Sequence, residues 1–290
     1  MIKINGELIK IDRFPNGELN IDTQILNKIS KNSTVSVEFK WANNEDILSL
    51  WFVLQHLQDN SITNYELYIY YLPYSRMDRN QNGNCFTLKH LCYLLGFFNV
   101  KMYKIVEPHS DVSLGLLAPS ERINFITPLM GNILRLHPDI NMICYPDKGA
   151  KNRFQDDSVT LPVVYCSKVR DFDTGEIKGL ELEGNVNVSG KNILILDDLC
   201  SRGGTFYHTA NKLKENGAND VYLGVCHMES TVEYGWIVNR YNKENNSPIK
   251  HIYCSDSMLI CKLPEISNIT IYSMEEFLNN GNLKEVNRYE

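Results

Sequence analysis

Two adjacent carboxylates, Asp197 and Asp198, follow the aliphatic run Ile-Leu-Ile-Leu and precede Leu-Cys-Ser201-Arg202-Gly203-Gly204-Thr205, after which a helical pattern begins. A strand that ends in a glycine loop and feeds a helix aims several backbone N–H groups at one spot. The positive end of the helix dipole points there too, so the spot suits an anion. Paired carboxylates at the carboxyl end of the same strand can accept hydrogen bonds from a cis-diol or help to hold Mg²⁺, and ligands of open α/β sheets bind at that edge. A phosphate beside a diol describes a ribose phosphate. A lone Asp-Asp pair is as often a cap on a surface turn; strand, acids, glycine loop and helix in that order favour the ligand.

These residues need a sheet to hold them. Strand-length apolar runs, Thr34 to Phe39, Tyr65 to Tyr71, Val100 to Val106, Asn141 to Tyr145, Val163 to Cys166, Asn192 to Leu196 and Val221 to Val225, alternate with helical spacing over Asn44 to Asp59, Thr87 to Gly96 and Thr205 to Asn216. That alternation is expected of parallel sheets covered by helices. A composition shift over Ala118 to Asn132, with Pro119, Pro128 and Gly131, is the best candidate for a domain boundary.

The chain has 290 residues, which at roughly 150 residues per domain argues for about two domains. With 43% hydrophobic and 22% charged residues, disordered, collagen-like and coiled-coil readings fall away. The net charge of −6 gives no global reason to bind nucleic acid or an anionic membrane, so a phosphate site must be local. The longest apolar stretch, Leu91 to Phe98, falls far short of the ~20 residues that cross a bilayer. The first residues carry no apolar signal region, so the cytoplasm is the expected location. The eight cysteines include no Cys-x-x-Cys pair and suit reduced, buried thiols better than zinc or disulfides.

The segment from Asn192 to Thr205 resembles the phosphoribosyl-pyrophosphate loop shared by type I phosphoribosyltransferases and phosphoribosyl-pyrophosphate synthetases. Other segments resemble the synthetases in order. Phe-Pro-Asn-Gly-Glu from Phe14 is similar to their Phe-Ser-Asp-Gly-Glu hairpin, which reaches into a neighbouring subunit's ATP site. Leu-Pro-Tyr-Ser-Arg-Met-Asp-Arg from Leu72 resembles their nucleotide-binding segment, and Glu107-Pro-His109 their Asp-Leu-His segment. Pro-Asp-Lys-Gly-Ala-Lys-Asn-Arg from Pro146 resembles the ribose-side loop, one residue shorter. Lys168-Val-Arg170 matches the Lys-x-Arg of the mobile catalytic loop.

The resemblance implies an α/β fold of two type I phosphoribosyltransferase-like domains, each with a mainly parallel sheet flanked by helices. Residues 1–127 would form the ATP side and residues 128–290 the ribose-phosphate side, leaving open that the last segment packs back on the first domain. ATP would lie on Phe14, Asn16, Glu18, Arg76, Asp78 and His109, and the ribose phosphate on Asp147, Asp197, Asp198, Ser201, Arg202, Gly203, Gly204 and Thr205. Glu107, His109 and Asp147 would meet Mg²⁺, and Lys168 and Arg170 would be catalytic. The implied reaction is attack of an anomeric 1-hydroxyl on the β-phosphorus of Mg²⁺-ATP, transferring diphosphate and releasing AMP, by a homo-oligomer, dimer or hexamer, that acts on small-molecule substrates and has no nucleic acid or membrane partner. Catalysis of this kind is mainly positioning and charge stabilisation.

Ser201-Arg202 stands where the synthetases usually have Asp-Thr, removing a negative charge and adding a positive one. A unit charge pair at 4 Å is worth about 4 kcal/mol at an effective dielectric near 20, before desolvation and entropy. The exchange points to an acceptor whose 5-end carries more charge or bulk than one phosphate, as ADP-ribose does. The product would be ADP-ribose pyrophosphate, a donor for making NAD from nicotinamide. The equal alternative is that Arg202 points to solvent or pairs with a local acid. Met77 and Asn16 also replace family residues. Competing readings are a phosphoribosyltransferase that consumes the activated sugar, and a silent regulatory relative of an active synthetase.

Overall fold

The structure, a computed structural model, describes residues 1–30, 33–80, 83–155, 159–170, 177–184, 186–238, 247–260 and 268–286. The chain divides into two compact units, Met1–Asn124 and Phe125–Glu290.

The first unit contains strands β1 (Ile2–Ile4), β2 (Glu7–Leu8), β3 (Lys10–Arg13), β4 (Leu19–Asp22), β5 (Val35–Phe39), β6 (Tyr65–Ile69), β7 (Met102–Val106) and β8 (Ser120–Ile123). Its helices are α1 (Glu45–Asp59), α2 (Thr87–Leu95) and α3 (Val112–Leu116). The six-stranded sheet runs β2-β1-β5-β6-β7-β8, parallel from β5 to β8 and antiparallel at β1 and β2, while β3 and β4 pair as a separate hairpin. Val35, Val37, Leu67, Ile69 and Ile105 are sealed in its core with Val53 and Leu54 of α1 and Leu88 of α2.

The second unit contains α4 (Ile126–Leu136), β9 (Met142–Tyr145), α5 (Lys148–Phe154), β10 (Val163–Arg170), β11 (Ile177–Glu183), β12 (Ile193–Cys200), α6 (Gly204–Glu215), β13 (Val221–Met228), β14 (His251–Ser255), β15 (Ile269–Tyr272) and α7 (Met274–Asn280). Its seven strands run β11-β10-β9-β12-β13-β14-β15, all parallel except β11. Every residue of β9 and β13 is buried, as central parallel strands covered on both faces require. The mainly parallel α/β architecture expected from the sequence is therefore present in both units.

Several boundaries differ from the sequence reading, each for a physical reason. Strand β12 runs on to Cys200, so Asp197 and Asp198 sit within its last turn of pairing rather than after it. Pairing with β13 extends it: Leu199 lies opposite His227 and Cys200 opposite Met228. Pro128 and Gly131 lie inside α4. Pro128 falls in the helix's first turn, where a missing N–H breaks no intrahelical bond. Cys92, Cys144, Cys166, Cys200, Cys226 and Cys254 are buried free thiols, but Cys85 is exposed; Cys261 lies outside the described residues.

Candidate functional site

Strands β9 and β12 pair in parallel with Cys144 opposite Ile195. The residues just beyond each, Asp147 after β9 and Asp197 and Asp198 near the end of β12, therefore emerge at the same carboxyl edge of the sheet. Asp147 caps α5, its Oδ1 accepting from Ala150 N–H at 2.9 Å. The helix carries Arg153 back over the strand ends. Its Nη2 donates to Asp198 Oδ1 at 2.8 Å and to Asp197 Oδ1 at 3.3 Å. Asp198 is 2% exposed. Burial, and the charge of Asp198 beside it, push the Asp197 carboxyl well above the usual carboxylate range, against the opposing pull of Arg153. Arg153 is the site's main unforeseen member. It was visible as the last residue of the segment from Pro146.

After Cys200 the loop turns on Gly203, whose φ of +75° is left-handed backbone, and α6 begins at Gly204. The loop leans on Gly235 to Ile237. Trp236 N–H donates to Arg202 O at 2.8 Å, and a Cβ on Gly203 would stand 2.6 Å from Ile237 Cγ1. Both the φ and this close approach demand glycine. The first amides of α6 have no partner within the helix and are the kind of donor that an anion takes up.

Glu229 is the second unforeseen residue. Its backbone N–H donates to Cys200 O at 2.9 Å, continuing the β12–β13 ladder by one residue and setting its side chain against the loop. Ser201 Oγ donates to Glu229 Oε2 at 2.5 Å, and Thr231 Oγ1 donates to the same oxygen at 2.9 Å. The exchange of a loop acid for Ser201 thus leaves a carboxylate at the loop, delivered from the next strand. The sequence signal was present: Glu229 is the first acid after the unbroken run of β13. The Arg202 side chain is exposed, and no described carboxylate forms a salt bridge with it. The strands of Lys168 and Arg170 belong to β10, but their side chains lie outside the described residues.

In the first unit the turn after β6 and the turn after β7 meet at the corresponding edge. Asp78, 7% exposed, accepts from Arg79 Nε at 2.8 Å. Burial would raise its pKa, but hydrogen bonds from Arg79 and Ser110 and the charges of Arg79 and His109 hold it below the usual aspartate value. Glu107 is buried in a left-handed conformation, φ +35°, with Arg122 Nη1 3.7 Å from its Oε2. Asp78, Glu107 and His109 therefore share one neighbourhood, to which Arg122 is added. Arg76 is exposed on the turn. Phe14, Asn16 and Glu18 occupy the tip of the β3–β4 hairpin, which is closed by Phe14 N–H to Glu18 O at 2.8 Å and turned at Gly17, φ +91°. Phe14 is 50% exposed there.

The chain is made of two mainly parallel α/β units, and its fold is the one seen in a phosphoribosyl-pyrophosphate synthetase. The crystal structure of phosphoribosylpyrophosphate synthetase from Mycobacterium smegmatis matches with a TM-score of 0.76 and 20% identity, covering 94% of this chain and 88% of that one. In sequence the chain is similar to ribose-phosphate pyrophosphokinases: that of Sulfolobus acidocaldarius is 26% identical over 277 residues, 93% of this chain and 91% of the relative. That of Thermococcus kodakarensis is 28% identical over 225 residues, 76% of this chain and 77% of the relative. No family model matches the chain. The resemblance read from the motif order is borne out as a relationship to ribose-phosphate pyrophosphokinases over most of the chain, and the expectation of an enzyme of that type agrees with these relatives.

Proposed function

We propose that this protein transfers the β,γ-diphosphate of ATP to the anomeric 1-hydroxyl of a ribose carrying a 5-phosphate group, releasing AMP. The observation that carries the reading is the Asp197, Asp198 and Arg153 cluster directly before the Gly203 loop and the start of α6. The acids accept from the vicinal hydroxyls and orient the sugar. The loop amides from Ser201 to Thr205 hold the 5-phosphate. Arg153 moderates the repulsion between the acids and opposes the rise in the Asp197 pKa. Fixing the sugar this way converts an encounter with ATP into a positioned attack, a contribution worth several kcal/mol.

On the ATP side, the family likeness supports Arg76 for the polyphosphate, Asp78 and His109 for the nucleotide, and Phe14, Asn16 and Glu18 of a neighbouring copy around the base. A homo-oligomer, dimer or hexamer, follows from that last assignment. Lys168 and Arg170 close over the transferring group and neutralise charge as it develops, the kind of contact whose loss costs about 3 kcal/mol.

The donor chemistry suits Mg²⁺, which prefers oxygen ligands, keeps several waters and is usually shared between one or two carboxylates and substrate phosphates. In the first unit Glu107 would supply a hard oxygen and His109 a nitrogen; Asp147 belongs to the second unit, where one of its oxygens is engaged with the start of α5, and no group of three such ligands gathers among the described residues. Bound with ATP, the ion would offset charge on the phosphates.

For the acceptor we infer ADP-ribose in preference to ribose 5-phosphate, giving ADP-ribose pyrophosphate as a donor for NAD synthesis. What supports this is the exposed cation of Arg202 at the phosphate loop, which forms no salt bridge among the described residues. Glu229 adds to it: a phosphomonoester places close to two negative charges at one point, beside that carboxylate, whereas a diphosphate ester spreads them over two groups. The test is to supply the purified chain with ATP and Mg²⁺ and, in turn, ribose 5-phosphate and ADP-ribose, and to measure AMP. AMP formed in equal amount with a 1-diphosphorylated sugar is expected, faster with ADP-ribose. ADP as the nucleotide product would defeat the diphosphate-transfer reading, and a strong preference for ribose 5-phosphate would defeat the ADP-ribose reading alone.

A further inference from the structure

Beside the phosphate loop lies an aromatic surface that a ribose monophosphate would not use. Trp236 is 53% exposed and Tyr234 is 69% exposed. Large aromatic side chains are costly to leave in water, and two within three residues at the rim of a ligand loop mark a surface shaped for contact. The placement of Trp236 is fixed from several directions. Its backbone N–H donates to Arg202 O at 2.8 Å, and its ring stands at 5.5 Å from Tyr207 and 5.7 Å from His208, tilted by 45° and 47°. Those neighbours, both on α6, meet the indole obliquely, which leaves about half of it open. A Cβ built on Gly204 would lie 3.7 Å from the indole Cδ1 and 3.8 Å from Nε1, so the pyrrole edge rests on the first residue of α6. Arg202, exposed and outside every described salt bridge, belongs to the loop itself and is joined to Trp236 through its own carbonyl.

We propose that Trp236 is a stacking shelf for an aromatic base that the acceptor carries beyond its second phosphate, with Arg202 as the cation for that phosphate. Such a molecule would meet the acids with its ribose diol, the helix start with its proximal phosphate, Arg202 with the distal one and the indole with its base. Stacking on an aromatic face is tolerant of base identity, so the shelf selects nucleoside diphosphate esters of ribose as a class, with purines favoured by their larger area. This rests on the acceptor reading above and names the residues that would produce it. It also accounts for the rigid mounting of Trp236: a ring already held in place loses little freedom when a base lands on it.

Three acceptors separate the contributions: ribose 5-phosphate, ribose 5-diphosphate, which has both phosphates and no base, and ADP-ribose. In Trp236→Ala the ratio of kcat/KM for ADP-ribose to that for ribose 5-diphosphate should fall by roughly ten- to hundred-fold, and Trp236→Phe should recover most of it. Arg202→Ala should lower both diphosphate acceptors relative to ribose 5-phosphate. Titrating wild-type protein with ADP-ribose should quench indole emission, and Trp236→Phe, which keeps Trp41 and Trp51, should lose that quenching. Equal losses on all three acceptors in Trp236→Ala, or quenching that survives in Trp236→Phe, would overturn the shelf while ADP-ribose turnover by the wild type stands. Wild-type protein that turns over ribose 5-phosphate and ignores ADP-ribose would overturn the acceptor reading and the shelf together.

Discussion

Arg153 Nη2 stands 2.8 Å from Asp198 Oδ1, a part-buried contact between the short helix α5 and the strand β12 against which it packs. The same nitrogen reaches Asp197 at 3.3 Å. Removing it takes away the cation that these two adjacent carboxylates share. Arg153→Ala should cost about 3 kcal/mol of stability, the scale of breaking a buried pair from one side. Because Arg153 holds the raised Asp197 pKa down, its loss raises that pKa further, and the acid limb of the pH profile of kcat/KM should move to higher pH. Arg153→Lys should restore part of both effects. Urea melts and a pH profile check the two; an acid limb that stays in place would show that Arg153 does not govern these acids.

Asp197→Asn should separate stability from activity. A carboxyl whose folded-state pKa is raised costs nothing below its unfolded value, about 3.9, and destabilises the fold progressively as pH climbs from there to the folded value, beyond which the cost stays constant. The amide removes that cost while Asp198 keeps the nearer contact with Arg153. Thermal melts should show a gain of about 1–2 kcal/mol at pH 7 to 8, vanishing near pH 4, with turnover reduced by a factor of about 100 or more. Lower stability at pH 8 would contradict the repulsion inferred between the two acids.

The loop's geometry can be tested by a double-mutant cycle. Gly203→Ala forces a side chain onto left-handed backbone and into Ile237. It should cost about 1–3 kcal/mol and most of the activity. Ile237→Ala alone should also destabilise, by about 2–4 kcal/mol, since the side chain is fully buried. The double variant should be more stable than the sum of the two losses predicts, because the clash is gone and only the backbone strain remains. Strict additivity in denaturant melts would mean that the two residues do not touch.

In the first unit, Asp78 has a folded-state pKa below its ordinary value. Such a group adds stability above the unfolded pKa, about 3.9, and the benefit fades as pH falls through the lower folded value. Asp78→Asn should therefore lower stability by about 1 kcal/mol at pH 7, with the difference from wild type closing in acid. Melts at pH 7 and pH 3 measure it; a gap that widens in acid would refute the assignment.

How far the sequence could be read depended on how each element is stabilised. Strands β9, β12 and β13 were plain because central parallel strands must be apolar on both faces, and α1, α2 and α6 because each keeps one apolar stripe. Strand β8, Ser-Glu-Arg-Ile, has a single aliphatic residue and exists by pairing with β7. Helix α5 is seven residues of mixed character, held at its start by the Asp147 cap. Neither carries a periodic signal of its own. Strand β11 is the antiparallel edge beside β10, again a product of its partner.

The same division runs through the candidate site. Asp197, Asp198, Ser201, Arg202, Gly203 and Gly204 are neighbours along the chain, so their order alone implied acids, an anion loop and a helix start. Arg153, Glu229 and Trp236 reach that loop from other segments. Arg153 arrives because β9 lies beside β12 in parallel, and Glu229 because β13 pairs with β12 one residue further than its apolar run. Trp236 arrives because the chain beyond Glu229 folds back on the Arg202 carbonyl. Strand register is set by sheet-wide hydrogen bonding and burial, which no local stretch of sequence encodes, so these three contacts were decided only by the tertiary structure.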